Sequence, residues 1–145
     1  MDLPTMPETD SLWPSKQVPL ASLVPGASNS EPKFLVAIIS LLWPFSPSSS
    51  SLSVLASEED FRLRKNRGQV RINFKGLPAS AVDRTKLQIG DRVIISLEGA
   101  EFQPLDDATE RDVPWIVVYS TRLAMKVTLP YSCSSLSSLN TMLLR

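Results

Sequence analysis

Apolar and polar positions change their rhythm several times along the chain, and each change marks a boundary. Up to residue 31 there is no sustained period, and prolines recur at Pro4, Pro7, Pro14, Pro19 and Pro25, so 1–31 reads as a disordered, proline-rich arm. Within it, Trp13-Pro14 and the apolar stretch Leu20 to Val24 are the two candidates for a short docking motif. From Phe34 to Trp43 the chain is almost continuously apolar and rich in β-branched residues. That predicts a buried first strand, long enough to bend and stopped by Pro44.

Pro44 to Ser51 contains Pro47 and a serine run, so a flexible loop is expected after the first strand. Leu52 to Ala56 begins or flanks a second strand, with Ser57-Glu58-Glu59 as a polar interruption. Phe61 to Arg64 and Gln69 to Lys75 both alternate, with Lys65-Asn66-Arg67-Gly68 between them, which predicts a hairpin of the second and third strands. Alternation sends Phe61, Leu63, Val70, Ile72 and Phe74 inward. Arg62, Arg64, Gln69, Arg71, Asn73 and Lys75 then point outward.

Gly76 breaks the third strand, and Pro78 suits the first turn of a short helix running through Ala79 toward Leu87. Arg92 to Leu97 is a fourth strand with Val93, Ile95 and Leu97 inward. Glu98 to Asp112 is acidic and irregular and reads as a long loop. Trp115 to Tyr119 and Leu123 to Val127 form a closing strand bent at Ser120-Thr121-Arg122. Three strands, a helix and two strands is the order of the five-stranded oligonucleotide-binding (OB) barrel, an all-β fold with one short helix between strands three and four. The barrel is assigned to 32–128. Residues 129–145 form a serine-rich tail in which a surface helix and a pairing strand both remain open, and the abrupt shift in composition at its start sets it apart from the barrel.

Composition changes this picture in three respects. Lys plus Arg equals Asp plus Glu at 15 each, so no net field draws the chain toward nucleic acid, and the distribution of charge must do so. The chain has no histidine and a single cysteine, Cys133. Imidazole catalysis, histidine zinc sites and intramolecular disulfides are excluded, and no catalytic residue, metal or cofactor is expected. No apolar run approaches the roughly 20 residues that cross a bilayer, and no membrane partner is expected.

The distribution of charge does single out one segment. Arg62, Arg64, Lys65, Arg67, Arg71 and Lys75 fall between Phe61 and Lys75 without a carboxylate among them. Such a cluster suits counterion release from phosphates, and arginine adds planar stacking on bases. A charge-rich hairpin also serves simply as a solvated face that blocks edge pairing. OB barrels bind ligands across strands two and three, between the loops that follow strands one and four, and the basic segment falls there. Trp43 and Phe45 flank Pro44 at the first loop, and Trp115 and Tyr119 lie beyond the later one; Phe45 is the favoured base-stacking residue of the four, ahead of Trp43, Trp115 and Tyr119. With Asn73 added, the expected interface is Trp43, Phe45, Arg62, Arg64, Lys65, Arg67, Arg71, Asn73 and Lys75. The acidic residues between Glu98 and Asp112 lack calcium-loop spacing; they are solvated or lie against the basic segment.

Three strings are familiar together: Leu41-Leu42-Trp43-Pro44-Phe45-Ser46, Asp60 through Arg71, and Gly90-Asp91-Arg92-Val93-Ile94-Ile95-Ser96-Leu97-Glu98-Gly99. Over Pro32 to Val127 the chain resembles the fungal telomeric single-stranded DNA-binding domain of the protection-of-telomeres type. The resemblance implies a barrel that grips the G-rich overhang at chromosome ends in the nucleus, with telomere-associated proteins as further partners. It places the strings at Trp43 to Ser46 and Arg62 to Arg71 at the DNA groove. A protein-interaction barrel and a nonspecific RNA-binding barrel are the competing expectations.

Overall fold

The computed structural model describes residues 16–25 and 33–128, together with the backbone of 139–144. Trp13-Pro14 and most of the serine-rich tail lie outside the described residues. Among the described residues, nine strands and one α-helix follow in order: β1 Lys16–Gln17, β2 Lys33–Ser46, β3 Ser51–Ser57, β4 Gln69–Lys75, α1 Leu77–Arg84, β5 Arg92–Ser96, β6 Ala100–Pro104, β7 Asp112–Tyr119, β8 Leu123–Thr128 and β9 Leu139–Leu144.

The expected order is present in β2, β3, β4, α1, β5 and the pair β7–β8. β2, β3 and β4 form an antiparallel meander. After α1 the chain returns so that β5 pairs antiparallel with the first half of β2, Phe34 to Ile38. β7 then lies parallel to β4, and β8 antiparallel to β5. The ladder path is open, running β6-β7-β4-β3-β2-β5-β8-β9. β7 and β8, at opposite sides of the meander, are nevertheless one length of chain bent at residues 120–122, as the sequence predicts. Tyr119, at the end of β7, donates its buried hydroxyl to the Ser96 carbonyl at the end of β5 across 2.8 Å, and so ties the seam at that bend.

Alternation accounts for the core. Leu52, Val54 and Ala56 of β3, Val70, Ile72 and Phe74 of β4, Val93 and Ile95 of β5, and Val117 and Tyr119 of β7 are all buried. Two irregularities shift the period of β2. Ile39 faces Ala56 while Leu41 faces Leu55, and Trp43 faces Ser53 while Ser46 faces Ser51, so an extra residue enters at each place. Such bulges bend a strand and re-aim the side chains beyond them. Pro44 therefore does not end the strand as expected; β2 continues to Ser46, and only residues 47–50 form the turn.

Three further expectations change. The second strand is Ser51–Ser57, paired residue for residue with β4 from Ser51 opposite Lys75 to Ser57 opposite Gln69. Phe61–Leu63 is instead a 3-10 turn. Asp60 accepts the Arg62 backbone N–H at 2.9 Å and the Arg64 N–H returns to the Phe61 carbonyl, and these local bonds outcompete a ladder. Gly68 makes the turn possible, because a Cβ there would stand 2.1 Å from the Leu63 carbonyl oxygen. Phe61 and Leu63 consequently point to solvent, at 73% and 49% exposure, and not into the core.

The acidic segment after β5 is only partly a loop, since Ala100–Pro104 pairs with β7 as an antiparallel edge strand. Residues 16–25 are not a free arm. Lys16 and Gln17 pair parallel with Lys33 and Phe34, and Leu20 and Leu23 are buried in the common core. The Leu20 N–H donates to the Glu58 carboxylate at 2.8 Å. This segment plugs the end of the barrel where β3 ends and β4 begins, while α1, packed on β2, β3 and β4, covers the other end. In the tail, the backbone of 139–144 pairs antiparallel with β8, the pairing-strand alternative.

Candidate nucleic-acid interface

The outer face of the meander is read from its register. One row runs across the sheet from Trp43 on β2 through Ser53 on β3 and Asn73 on β4 to Val118 on β7 and Glu101 on β6; the next runs Leu41, Leu55, Arg71, Ile116, Gln103. Arg71 and Trp43 occupy different rows on strands separated by β3. The small side chain of Ser53 lies between them, and the Arg71 guanidinium carbon stands 4.7 Å from the centroid of the indole ring. Trp43 remains 41% exposed, so the pair forms a platform of an aromatic ring and a planar cation open to solvent.

The neighbouring polar groups are held in place. The Ser53 hydroxyl donates to the Asn73 carboxamide oxygen at 2.8 Å, which orients the amide with its N–H donors away from that hydroxyl. The Arg71 Nε is buried and has no hydrogen-bond partner. Leaving a buried donor unpaired costs about 1 to 3 kcal/mol, against which the contact with the indole returns about 0.5 to 2 kcal/mol. Exposed Lys75 stands at the end of β4 next to the 47–50 turn.

At the opposite end of β4 the chain from Glu58 to Gly68 meets the loop 105–111. The Arg67 N–H donates to the Glu110 carbonyl and the Gln69 N–H to the Arg111 carbonyl, at 2.9 and 3.1 Å. The Gln69 side-chain amide donates to Asp112 at 2.7 Å. Burial pushes the Asp112 carboxyl upward. Hydrogen bonds from the Thr109 N–H, the Gln69 amide and the Thr109 hydroxyl outweigh this and hold it below its ordinary range. Acidic loop and basic segment are thus adjacent, with a cleft between them lined by Lys65, Arg67, Thr109 and Glu110.

Of the expected interface, Trp43, Arg71 and Asn73 come together on one face, with Lys75 at its end. The remaining members do not join them. Arg62, Arg64, Lys65 and Arg67 lie in the 58–68 connection and not on a strand, because the second strand ends at Ser57. Arg62 pairs with Asp60, Nη2 to Oδ2 at 2.9 Å, with its side chain 88% exposed. Arg64 lies over the Phe61 ring at 4.2 Å and donates from Nε to the Glu58 carbonyl. Lys65 and Arg67 are exposed in the turn.

Phe45 is re-aimed by the second bulge of β2. It packs against the core and lines a cavity of about 250 Å³ with Leu42, Leu52, Val82 and Leu87, at the α1 end. Of the other two aromatics, Tyr119 is fully buried and Trp115 packs partly against the core. Burial raises the Tyr119 phenol far above its usual range, keeping it a neutral donor. Sequence reasoning missed Ser53, Leu41 and Leu55 as face residues. For Ser53 and Leu55 the signal was the alternation of Leu52, Val54 and Ala56, in a stretch expected only to begin or flank the second strand; for Leu41 the bulge after Ile39 hid its outward direction.

Among the described residues there is no cluster of metal-ligating side chains and no helix long and apolar enough to cross a membrane. No curated protein matches the chain. Among solved structures it is similar to the crystal structure of Schizosaccharomyces pombe Pot1pC bound to ssDNA (CGGTTACGGT), with a TM-score of 0.49 and 10% identity, over 90% of this chain and 87% of that one. Residues 14–134 match the family described as a domain of unknown function, DUF8502, and the chain belongs to that family.

Proposed function

We propose that this barrel binds single-stranded DNA, without catalysis, on the outer face of β2, β3 and β4. The observation that carries the reading is the Arg71–Trp43 platform: a partly exposed indole topped by a guanidinium whose Nε lacks a partner. A base stacks on such a surface whatever its identity, at about 1 to 3 kcal/mol per base. Asn73 and Lys75 supply a fixed amide and a phosphate cation beside it. With Glu101 at the far end of the row, the footprint is short, toward the lower limit of about 4 to 16 nucleotides per barrel.

The finer part of the proposal is that the natural ligand is the G-rich strand of chromosome ends, in the nucleus and beside telomere-associated proteins. It rests on the strings at Leu41 to Ser46 and Asp60 to Arg71. The test is fluorescence anisotropy with a G-rich telomeric strand, its complement and their duplex at two salt concentrations. Preference for the G-rich strand, weakening with salt, is the expected result. Equal weak binding to all three overturns the reading, and a competing RNA of the same sequence that binds as well replaces it with RNA binding. Exposed Leu41, at 47%, beside Trp43 favours a second reading, a protein-interaction face; there Trp43→Ala abolishes partner capture in a chain with no DNA binding to lose.

A further inference from the structure

We propose that Phe61 is a second base-stacking position, on the 58–68 connection and separate from the Trp43 platform. The inference rests on the reading that the barrel binds single strands, and adds a contact that lengthens the bound segment past the end of β4.

Phe61 is a large apolar side chain held in water. At 73% exposure it is nearly the most exposed large apolar residue among those described, second to Leu77 at 74%. The turn that presents it is stiff. Asp60 caps it through the Arg62 N–H, Arg62 returns two charge-assisted bonds to the two Asp60 oxygens at 3.1 and 2.9 Å, and the Leu63 N–H donates to the Asp60 carbonyl. The Arg62 guanidinium, bonded to it and adjacent in charge, holds the Asp60 carboxyl below its ordinary range, so the capping oxygens carry their charge at neutral pH. Below the turn, Gly68 leaves no space between strand and turn backbone, and the Glu58 N–H closes onto the Gly68 carbonyl at 2.8 Å.

The ring itself is half of a pair. Arg64 covers one side of it, with its guanidinium carbon 4.2 Å from the ring centroid and its Nε anchored on the Glu58 carbonyl. Arginine over an aromatic ring is the same arrangement as Arg71 over Trp43, and the exposure of Phe61 leaves its other side to solvent. A base stacked there meets a ring already polarised by a cation. Lys65 and Arg67, exposed in the same connection, stand where the phosphates of such a strand need neutralising. These cations favour a nucleic acid over a protein as the occupant. Arg71 and Gln69 point outward on β4 two residues apart, and the connection ends at Gly68, one residue before Gln69, so a strand that follows β4 from Arg71 past Gln69 runs toward the connection that carries Phe61.

The test uses the full chain and two labelled deoxyoligonucleotides, of roughly 4 and roughly 12 nucleotides, chosen to fall inside the range per barrel. Phe61→Ala is expected to weaken the longer strand about tenfold and leave the shorter one unchanged. Phe61→Trp restores the longer strand, and Phe61→Leu, which keeps the bulk and removes the ring, does not. Thermal unfolding stays at the wild-type midpoint in all three, because the side chain contributes little to the core. Trp43→Ala weakens both strands. If Phe61→Ala binds both strands as the wild type does, or loses both equally, the second platform is overturned while DNA binding at Trp43 stands. If the wild-type chain binds neither strand, the parent reading fails and this one with it.

Discussion

Replacing Arg71 by methionine separates a residue kept for binding from one kept for the fold. In the folded chain Arg71 spends free energy in one place and recovers it in another: its Nε is buried without a partner, a cost of about 1 to 3 kcal/mol, and its guanidinium lies on the Trp43 ring, a gain of about 0.5 to 2 kcal/mol. Methionine keeps the aliphatic stem on the sheet and packs its thioether against the indole, while removing the orphaned donor. Arg71→Met should therefore change stability by no more than about 1 to 2 kcal/mol in either direction. At this chain length that is a shift of a few degrees, at about 2 to 4 °C per kcal/mol. Binding should respond differently. On the proposed binding mode, loss of this cation predicts a ten- to hundredfold drop in affinity for a single strand, and a reduction of about 0.7 in the slope of log K against log salt, the contribution of one neutralised phosphate. Arg71→Lys keeps the charge and so most of the slope, but loses the planar stack. Urea melts followed by tryptophan fluorescence and anisotropy titrations at several salt concentrations give both quantities. An Arg71→Met chain that loses more than about 3 kcal/mol and binds DNA as before would refute the reasoning.

Other outcomes follow from the core and its seams. Tyr119→Phe removes the hydrogen bond to the Ser96 carbonyl and should cost about 1 to 3 kcal/mol in chemical denaturation without altering DNA affinity. Leu20→Ala, in the plug at 0% exposure, should cost about 2 to 5 kcal/mol, whereas a disordered arm would give no change. Because the folded Asp112 carboxyl sits below its ordinary value, its anchorage of the 105–111 loop is complete above the unfolded carboxylate range, about pH 4, and is lost as pH falls through the depressed folded value. Amide exchange at Thr109, corrected for intrinsic rates, should thus accelerate on acidification in the wild type but be fast and pH-independent in Asp112→Asn.

Periodicity made the barrel legible. β4, α1, β5 and the bent β7–β8 strand lie near where alternation and turn residues put them, although β7 starts earlier, at Asp112, and pairs with β4 through a register shift. Elsewhere the competing forces were local. Serines at 51 and 53 resemble loop composition, yet they sit on the outer positions of a strand whose Leu52, Val54 and Ala56 are inside. Phe61 to Arg64 has the alternation of a strand, but Asp60 and Gly68 allow a tighter turn that no pattern of apolar residues reveals. Phe45 lies two residues from Trp43 and would share its face but for one extra residue in β2, an insertion set by pairing with β3 and invisible in one strand alone. The site was legible as a basic segment beside aromatics. Which cations belong to the sheet and which to the connection depended on where the second strand ended.

The buried leucines of the plug give this domain two levels of stability. Residues 16–25 are held by two buried leucines, Val18 packed against the core with its N–H on the Phe34 carbonyl, a two-residue parallel pairing and the Glu58 carboxylate among their contacts, a shorter seam than the full-length ladders that join the strands of the meander. Releasing them opens one end of the barrel at a smaller free energy than unfolding the whole. Glu58, which receives the Leu20 N–H, also pins Gly68 and carries Arg64 on its carbonyl. Undocking of the N-terminal segment therefore reaches the 58–68 connection through a single residue, and amide protons there should report the breathing of a segment that is distant in sequence but shares their anchor.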